Sequence, residues 1–225
     1  VKFDQNSANK TADTLKSDIL TTLTNYNTNT LTQFDGVFRY SKVTGLIDNT
    51  DSSILSNITT LKIRKDFTPT LASSTKYNVY FRNSLYNPHS GHNSAAGGIL
   101  ESSGFKVSGD SSTVFYLDDD GAGNVRRYSF SGATRVYTAS DQGTIDYDTG
   151  SITINSLSVL SVENIRGAAS SKIELTVVPS SNDVVPVRDQ ILEIDTANSS
   201  ITVTADTFVG GSSDAGVGYT TTSSY

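Results

Sequence analysis

The sequence contains no cysteine, methionine or tryptophan, and only two histidines and four prolines. Without cysteine the chain can form neither a disulfide framework nor a thiolate metal site, so cysteine usage gives no sign of the redox compartment. No apolar run approaches the ~18 residues of a transmembrane helix, and the first residues do not have the pattern of a signal peptide. The chain starts at Val1 rather than at a methionine, which predicts a fragment or a processed product.

The composition predicts a mostly β globular protein. Of the 225 residues, 36% are hydrophobic and only 18% are charged, while serine, threonine and asparagine fill much of the remainder. A chain of this length can bury a core and form one or two domains. The net charge of −6 and the isoelectric point near 4.8 argue against wrapping nucleic acid, which requires a basic face.

Residues 1–67 are predicted to form a small α+β head. A short strand at the start is followed by a helix for which Thr11 or Asp13 is the expected N-cap. A second, short helix is expected to begin at an N-cap on Ser41, and a strand follows before Pro69. The apolar residues that set the helical spacing are Leu15, Ile19, Leu23 and Tyr26 in the first helix, and Val43, Leu46 and Ile47 in the second.

Residues 68–225 are predicted to form an antiparallel β-rich domain, so the fold class is α+β and mostly β. Turn residues separate a series of strand candidates at short intervals, which is typical of antiparallel β proteins. The loop 84–98 and the low-complexity tail 210–225 are expected to be ordered by neighbouring subunits. The strand candidates are 76–83, 97–107, 112–118, 124–130, 134–139, 143–148, 151–159, 172–179, 190–195 and 199–205.

Two segments, IDYDTGSITI (145–154) and EIDTANSSITVT (193–204), resemble each other. Each places aspartate and threonine before a small polar turn. We interpret them as two hairpins with the same kind of turn, because a repeat architecture requires three or more copies.

The stretch LDDDGAGNVRRYSF (117–130) is the strongest candidate in the chain for a binding or catalytic site. If Gly121 occupies position 6 of a calcium loop, Tyr116 falls at position 1 and Arg127 at position 12, where a bidentate glutamate is required. The stretch also lacks the lysine and helix of a phosphate loop. We therefore interpret it as a hairpin whose turn uses Gly121, Gly123 and Asn124 and whose aspartates, Asp118–Asp120, are solvated. Adventitious cation binding is the alternative.

No catalytic, cofactor-binding or metal site is predicted. His89 and His92 form an H-x-x-H pair, but Pro88 and Gly91 argue against the helix that would bring both to one metal. A serine triad would need one of these two histidines, and no Gly-x-Ser-x-Gly elbow is present. The basic residues of LKIRK (61–65) and VRRY (125–128) are interpreted as solvated strand faces or ion-pair partners rather than as a nucleic-acid site.

Three segments, in this order, resemble a known family. They are the head (1–65), with its Phe-Arg-x-Ser and Asp-x-Thr-Asp segments, then GTIDYDTGSITI (143–154), and then TVVPSSNDVVPVRDQILEID (176–195). Together they are similar to the C-terminal portion of baseplate J-like proteins, and within that family to the baseplate wedge proteins of T-even-like contractile-tailed phages.

The resemblance implies a structural virion protein of the tail baseplate. Its expected partners are further copies of itself, as a homodimer or ring, and other baseplate wedge proteins. The ring would surround the tail hub and tube and rearrange on sheath contraction. No nucleic acid, membrane, small-molecule substrate or cofactor is implied, and no enzymatic activity.

Two other classes of function remain open from the residues alone. A β-rich receptor- or carbohydrate-binding module would use some of the eleven tyrosines as stacking platforms, although the absence of tryptophan counts against sugar binding. A glycosidase would use two carboxylates. An exposed aromatic surface would favour the first, a pocket with two facing acids the second, and a flat two-fold interface the ring subunit.

Overall fold

A computed structural model describes residues 1–92, 98–187 and 190–206. The chain divides into two compact units. Unit 1 comprises Val1–Thr60 and, among the described residues, 190–206, and unit 2 comprises Leu61–Val187. The division thus falls seven residues before the predicted one, which follows residue 67, and the described end of the chain groups with the first unit. The tail 210–225 and part of the loop 84–98 lie outside the described residues.

The described residues form two α-helices, one π-helical turn and thirteen strands. More of the described residues lie in strands, which are mostly antiparallel, than in helices, and this confirms the mostly β class. In chain order the elements are β1 (Lys2–Phe3), α1 (Ala12–Tyr26), the π-helical turn (Asn27–Leu31), α2 (Tyr40–Asp48), β2 (Ile54–Ser56), β3 (Ile63–Phe67), β4 (Thr75–Tyr80), β5 (Glu101–Ser102), β6 (Phe105–Val107), β7 (Asp110–Asp119), β8 (Asn124–Ser131), β9 (Thr134–Asp146), β10 (Ser151–Leu157), β11 (Val159–Val162), β12 (Ile173–Val177) and β13 (Thr204–Ala205).

In unit 1, helix α1 forms where the spacing of apolar residues predicts it. The Thr11 side chain accepts a hydrogen bond from the Thr14 amide at 3.2 Å, which satisfies one of the amides left unpaired at a helix start. The predicted apolar face is buried throughout, at Leu15, Ile19, Leu23 and Tyr26. No helix among the described residues has the length and apolar character needed to cross a membrane.

Helix α2 begins at Tyr40, two residues earlier than an N-cap at Ser41 predicts. Arg39 is the N-cap and Ser41 lies within the first turn, so the prediction that Ser41 caps the helix is wrong. The Tyr40 hydroxyl donates to the Thr59 carbonyl at 2.8 Å, and this hydrogen bond ties the first residue of the helix to the segment that follows residues 54–56. Val43 and Ile47 are buried as predicted, and Leu46 is half-buried.

Three short strands complete unit 1. Strand β1 lies between β2, to which it is antiparallel, and β13, to which it is parallel. The pairing of β1 with β13 joins Lys2 to Thr204, residues about two hundred positions apart in the chain. The predicted strand 190–195 does not form, and only Thr204–Ala205 of the predicted strand 199–205 is a strand.

Unit 2 contains a seven-stranded antiparallel sheet in the order β11-β6-β7-β8-β9-β10-β4, and a three-stranded antiparallel sheet in the order β3-β12-β5. Its core includes fully buried side chains from both sheets, among them Phe105, Leu117, Ile152 and Leu175. The two predicted strands 134–139 and 143–148 merge into the single strand β9, whose pairing with β8 contains register shifts.

The two similar segments adopt different structures. In the first, Asp146 accepts hydrogen bonds from the Asp148 and Thr149 amides at 2.9 and 3.1 Å and so shapes the β9–β10 hairpin turn. In the second, Asp195 accepts from the Asn198 amide at 3.2 Å in a comparable turn, but no hairpin follows. The interpretation as two hairpins is therefore wrong for the second segment, because its strand pairs in parallel with β1.

Candidate interaction surface

The hairpin predicted at 117–130 is present, but two of its three aspartates, Asp118 and Asp119, are not solvated. Strands β7 and β8 pair antiparallel and are joined by a turn in which Gly121 and Gly123 have positive φ, while Asn124 is the first residue of β8. Asp118 and Asp119 are each 0% exposed. The prediction of a solvated acidic tip is therefore wrong, because each of the two carboxylates has a set of donors inside the protein.

Asp119 points to the core side of the sheet and binds the backbone of a neighbouring segment. Its Oδ1 accepts from the Ile99 and Leu100 amides at 2.6 and 2.8 Å. Its Oδ2 accepts from the Tyr147 hydroxyl at 2.6 Å and from the Gly121 amide at 3.3 Å. Burial raises the pKa of Tyr147, and the hydrogen bond to Asp119 adds to the rise. Asp119 is thus a structural acceptor that ties three segments together.

Asp120 closes the turn, and the loop 84–92 packs over the same tip. The Asp120 carboxylate accepts from the Ala122 and Asn124 amides at 2.8 and 2.9 Å. The Gly121 carbonyl accepts from the Gly91 amide at 2.8 Å and from the Asn87 side chain at 3.1 Å. The tip of the hairpin is therefore held in place by hydrogen bonds to other residues of unit 2.

Asp118 lies on the opposite face of β7 and binds two arginines. Its Oδ1 accepts from Arg126 Nε at 2.9 Å, and its Oδ2 accepts from Arg135 Nη1 at 2.8 Å and from the Tyr137 hydroxyl at 2.9 Å. Burial raises the pKa of the Asp118 carboxyl, and the hydrogen bonds from Arg126, Tyr137 and Arg135 oppose that rise. One buried carboxylate is thereby set against two guanidinium groups.

Aromatic rings surround this ion cluster on the same face of the sheet. The Arg126 guanidinium lies 4.3 Å from the centre of the Tyr137 ring, and that of Arg135 lies 4.6 Å from the centre of the Tyr128 ring. Tyr128 and Phe130 meet edge to face at 5.4 Å. We call this set the arginine–tyrosine surface; its members are Tyr116, Asp118, Arg126, Tyr128, Phe130, Arg135 and Tyr137.

The period of two along three neighbouring strands builds the arginine–tyrosine surface. Successive side chains of a strand point to opposite faces, so residues two apart share a face. The pattern reads Tyr116-x-Asp118 on β7, Arg126-x-Tyr128-x-Phe130 on β8 and Arg135-x-Tyr137 on β9. Pairing then places Asp118 opposite Arg126, Tyr128 beside both Tyr116 and Tyr137, and Phe130 opposite Arg135.

The surface combines a rigid base with an exposed rim. Asp118 and Tyr128 are almost fully buried, whereas Phe130 is 50% exposed and Tyr137 is 42% exposed. Charge-assisted hydrogen bonds and cation–π contacts fix the arginines before any partner binds. The sequence predicted Arg126 to lie on a solvated strand face or to form an ion pair, and the ion pair with Asp118 is present. It gave no role to Arg135 and predicted no aromatic face, although arginine and tyrosine alternate with a period of two in these strands.

The other predicted site residues carry no such cluster. His92 Nδ1 lies 3.0 Å from His89 Nε2 in the exposed loop, and no group of three His, Cys, Asp or Glu that could hold a metal occurs within the described ranges. Of the basic residues of 61–65, predicted as solvated strand faces or ion-pair partners, Lys62 binds Glu101 at 2.6 Å and Arg64 binds Glu174. Lys65 Nζ instead donates to the Tyr80 carbonyl at 2.6 Å.

Unit 1 has an open cleft of about 550 Å³ between β1, the start of α1 and β13. It is lined by Phe3, Gln5, Ala8, Asn9, Lys10, Thr11, Ala12 and Ala205. None of these lining residues is a carboxylate, so the cleft does not contain the pair of facing acids that a glycosidase requires.

Residues 1–66 match the family model described as baseplate structural protein gp6, C-terminal domain III. No curated protein matches the chain. The matched segment contains β1, both helices and β2 of unit 1, and it ends within β3, so nearly all of unit 2 lies beyond it. The chain therefore carries, over residues 1–66, a segment similar to a baseplate structural protein, and this similarity supports a structural role in the tail baseplate of a phage virion.

Proposed function

We propose that the protein is a structural subunit of the baseplate wedge of a contractile phage tail. In this proposal it associates with further copies of itself and with other wedge proteins in the inner baseplate ring around the tail hub and tube. The ring changes its geometry when the sheath contracts. The observation that carries the proposal is the match of residues 1–66 to the C-terminal domain III of a baseplate structural protein.

The architecture of the matched segment supports a role in contacts rather than in chemistry. Two helices and a small sheet bury one apolar face, and the open cleft beside β1 has no carboxylate in its lining. A large apolar side chain nevertheless remains outside: Phe34 is 90% exposed. Apolar side chains on the surface of a subunit that assembles with others can be covered by its neighbours.

Sedimentation velocity of the chain over a wide concentration range tests self-association. A shift to larger species with rising concentration supports the proposal. A species that remains monomeric at the highest concentration contradicts self-association through this chain. Labelling of intact virions with antibodies against the chain tests the location independently, since a signal away from the tail end would overturn a baseplate role.

A β-rich receptor- or carbohydrate-binding module is the second candidate, and the arginine–tyrosine surface favours it. Exposed aromatic rings can stack on sugars. However, the guanidinium groups of Arg126 and Arg135 already cover the rings of Tyr137 and Tyr128. Among Tyr128, Phe130 and Tyr137, only Phe130 has a ring without a guanidinium partner. The geometry therefore fits a protein partner better than a saccharide.

Saturation-transfer NMR with a panel of oligosaccharides separates the two candidates. Transfer to a saccharide that is lost in Phe130→Ala supports the binding module. An absence of transfer at millimolar concentrations leaves the structural subunit as the supported function.

A further inference from the structure

The arginine–tyrosine surface has the composition of a binding hot spot. Tyrosine and arginine dominate the energetics of protein interfaces, particularly where they are held rigid before binding. Here a 1%-exposed Asp118 side chain fixes Arg126 and Arg135, whose side chains are 15% and 30% exposed. The cluster sets two cations against one carboxylate, so it favours a partner that brings an apolar side chain together with a negative charge.

Unit 1 presents such a pair on a tight turn. Phe34 is 90% exposed, and Asp35 follows it in the left-handed conformation with φ 65°. The Gly36 amide donates to the Gln33 carbonyl at 3.1 Å, which closes the turn. A Cβ on Gly36 would lie 2.2 Å from the Leu31 carbonyl oxygen, so the turn packs directly against the end of the π-helical turn.

The backbone of the turn Gln33–Gly36 therefore has a fixed conformation and is not a loose loop. The Gln33 side chain donates to the Thr28 carbonyl at 2.9 Å and ties the turn to the preceding helical segment. Because the backbone of the turn is already fixed, docking would cost mainly the rotamer freedom of the exposed Phe34 side chain. Packing of the Phe34 ring against Phe130 and Tyr137 would remove apolar surface of all three side chains from water, which is favourable.

The groups at the two surfaces are opposite in charge. The exposed Asp35 of the turn carries one carboxylate, whereas the arginine–tyrosine surface sets two guanidinium groups against the single carboxylate of Asp118. Unit 1 as a whole contains six Lys and Arg against eleven Asp and Glu, so most of the net charge of −6 belongs to the unit that carries the turn. Opposite potentials on two surfaces steer encounter and fix register.

We propose that the Phe34–Asp35 turn of one copy docks on the arginine–tyrosine surface of a second copy. The Phe34 ring packs against Phe130 and Tyr137, and the Asp35 carboxylate faces Arg135. The contact is heterologous, since each copy uses its turn on one side and its surface on the other. Heterologous contacts produce rings when the rotation between copies closes. This inference rests on the proposed self-association and names the surfaces that carry it.

Complementation between two variants tests the contact. Phe34→Ala removes the docking side chain, and Phe130→Ala removes an exposed ring of the receiving surface. In sedimentation velocity each variant alone is expected to associate at least about tenfold more weakly than the wild type, the loss typical of a hot spot. Their equimolar mixture is expected to form a dimer that does not grow, because one intact turn and one intact surface remain as a pair.

Two control variants change exposed apolar residues elsewhere. Ile58→Ala in unit 1 and Leu71→Ala in unit 2 remove side chains that are 91% and 55% exposed, and both are expected to associate like the wild type. Circular dichroism verifies that all four variants fold. If the wild type associates and Phe34→Ala or Phe130→Ala associates equally well, the docking contact is wrong while self-association stands. If the wild type stays monomeric, self-association itself is wrong, and the docking contact is wrong with it.

Photo-crosslinking identifies the partner surface directly. The photoreactive p-benzoylphenylalanine replaces Phe34 in a mixture of ¹⁴N- and ¹⁵N-labelled chains. Crosslinked peptides that join position 34 to β8 or β9 and combine both isotopes are the expected product. Crosslinks confined to chains of one isotope, or crosslinks to other strands, overturn the proposal.

Discussion

Replacing Asp118 by asparagine is expected to destabilise unit 2 strongly. The carboxylate receives three donors through two oxygens: Arg126 Nε on Oδ1, and Arg135 Nη1 and the Tyr137 hydroxyl on Oδ2. Asparagine offers only one acceptor oxygen. Its amide group would direct hydrogens at a guanidinium, whichever way the side chain is turned.

The size of the loss follows from the burial of the carboxylate. The Asp118 side chain is 1% exposed, so water cannot replace the missing acceptor. Breaking a buried ion pair by removing one partner costs about 3–5 kcal/mol. For a chain of this length that corresponds to a fall in Tm of about 6–20 °C, at about 2–4 °C per kcal/mol.

Urea denaturation followed by near-ultraviolet circular dichroism measures the loss, because the tyrosines of the surface report on its packing. Asp141→Asn is the matched control, since it makes the same chemical change at an exposed position of β9. The control is expected to stay within about 0.5 kcal/mol of the wild type. An equally small effect of Asp118→Asn would refute the view that Asp118 organises the arginine–tyrosine surface.

Three further predictions concern single side chains. Tyr147→Phe removes the 2.6 Å hydrogen bond to buried Asp119 and is expected to cost about 1.5–3 kcal/mol in chemical denaturation; an unchanged midpoint would contradict that bond. Thr11→Ala removes the N-cap of α1 and is expected to cost about 1 kcal/mol, with Thr11→Ser retaining most of the stability. Hydrogen bonds from the Ser53 amide and hydroxyl and from Lys10 lower the pKa of Asp51 from 3.8 to about 2. The ionised form of Asp51 therefore stabilises the fold above pH 3.8, and this contribution is lost as the pH falls towards 2. The stability difference between wild type and Asp51→Asn should therefore be constant above about pH 4 and shrink towards pH 2.

Local patterns predicted local structure well. The spacing of Leu15, Ile19, Leu23 and Tyr26 is a property of one helix face, and Thr11 caps a turn only three residues away, so both could be read directly from the sequence. The β7–β8 hairpin was equally predictable, because its turn glycines and its strand-rich arms are adjacent in the chain.

Long-range pairing explains most of the errors. The burial of Asp118 depends on Arg135 and Tyr137 from β9, which meet it only when three strands are in register. The burial of Asp119 depends on the amides of Ile99 and Leu100, about twenty residues upstream. An acidic run beside two glycines is compatible with a solvated turn until those donors are known. The location of β13 depends on β1, and no local signal specifies that pairing.

The pairing of β1 with β13 makes unit 1 discontinuous in sequence, so unit 2 is an insertion within it. During synthesis the ribosome releases β1 and both helices first, but the small sheet cannot be completed until the whole of unit 2 has emerged. Closing so long a loop slows folding unless the inserted part folds first and brings its two ends together. We therefore expect unit 2 to fold first and the sheet of unit 1 to close last.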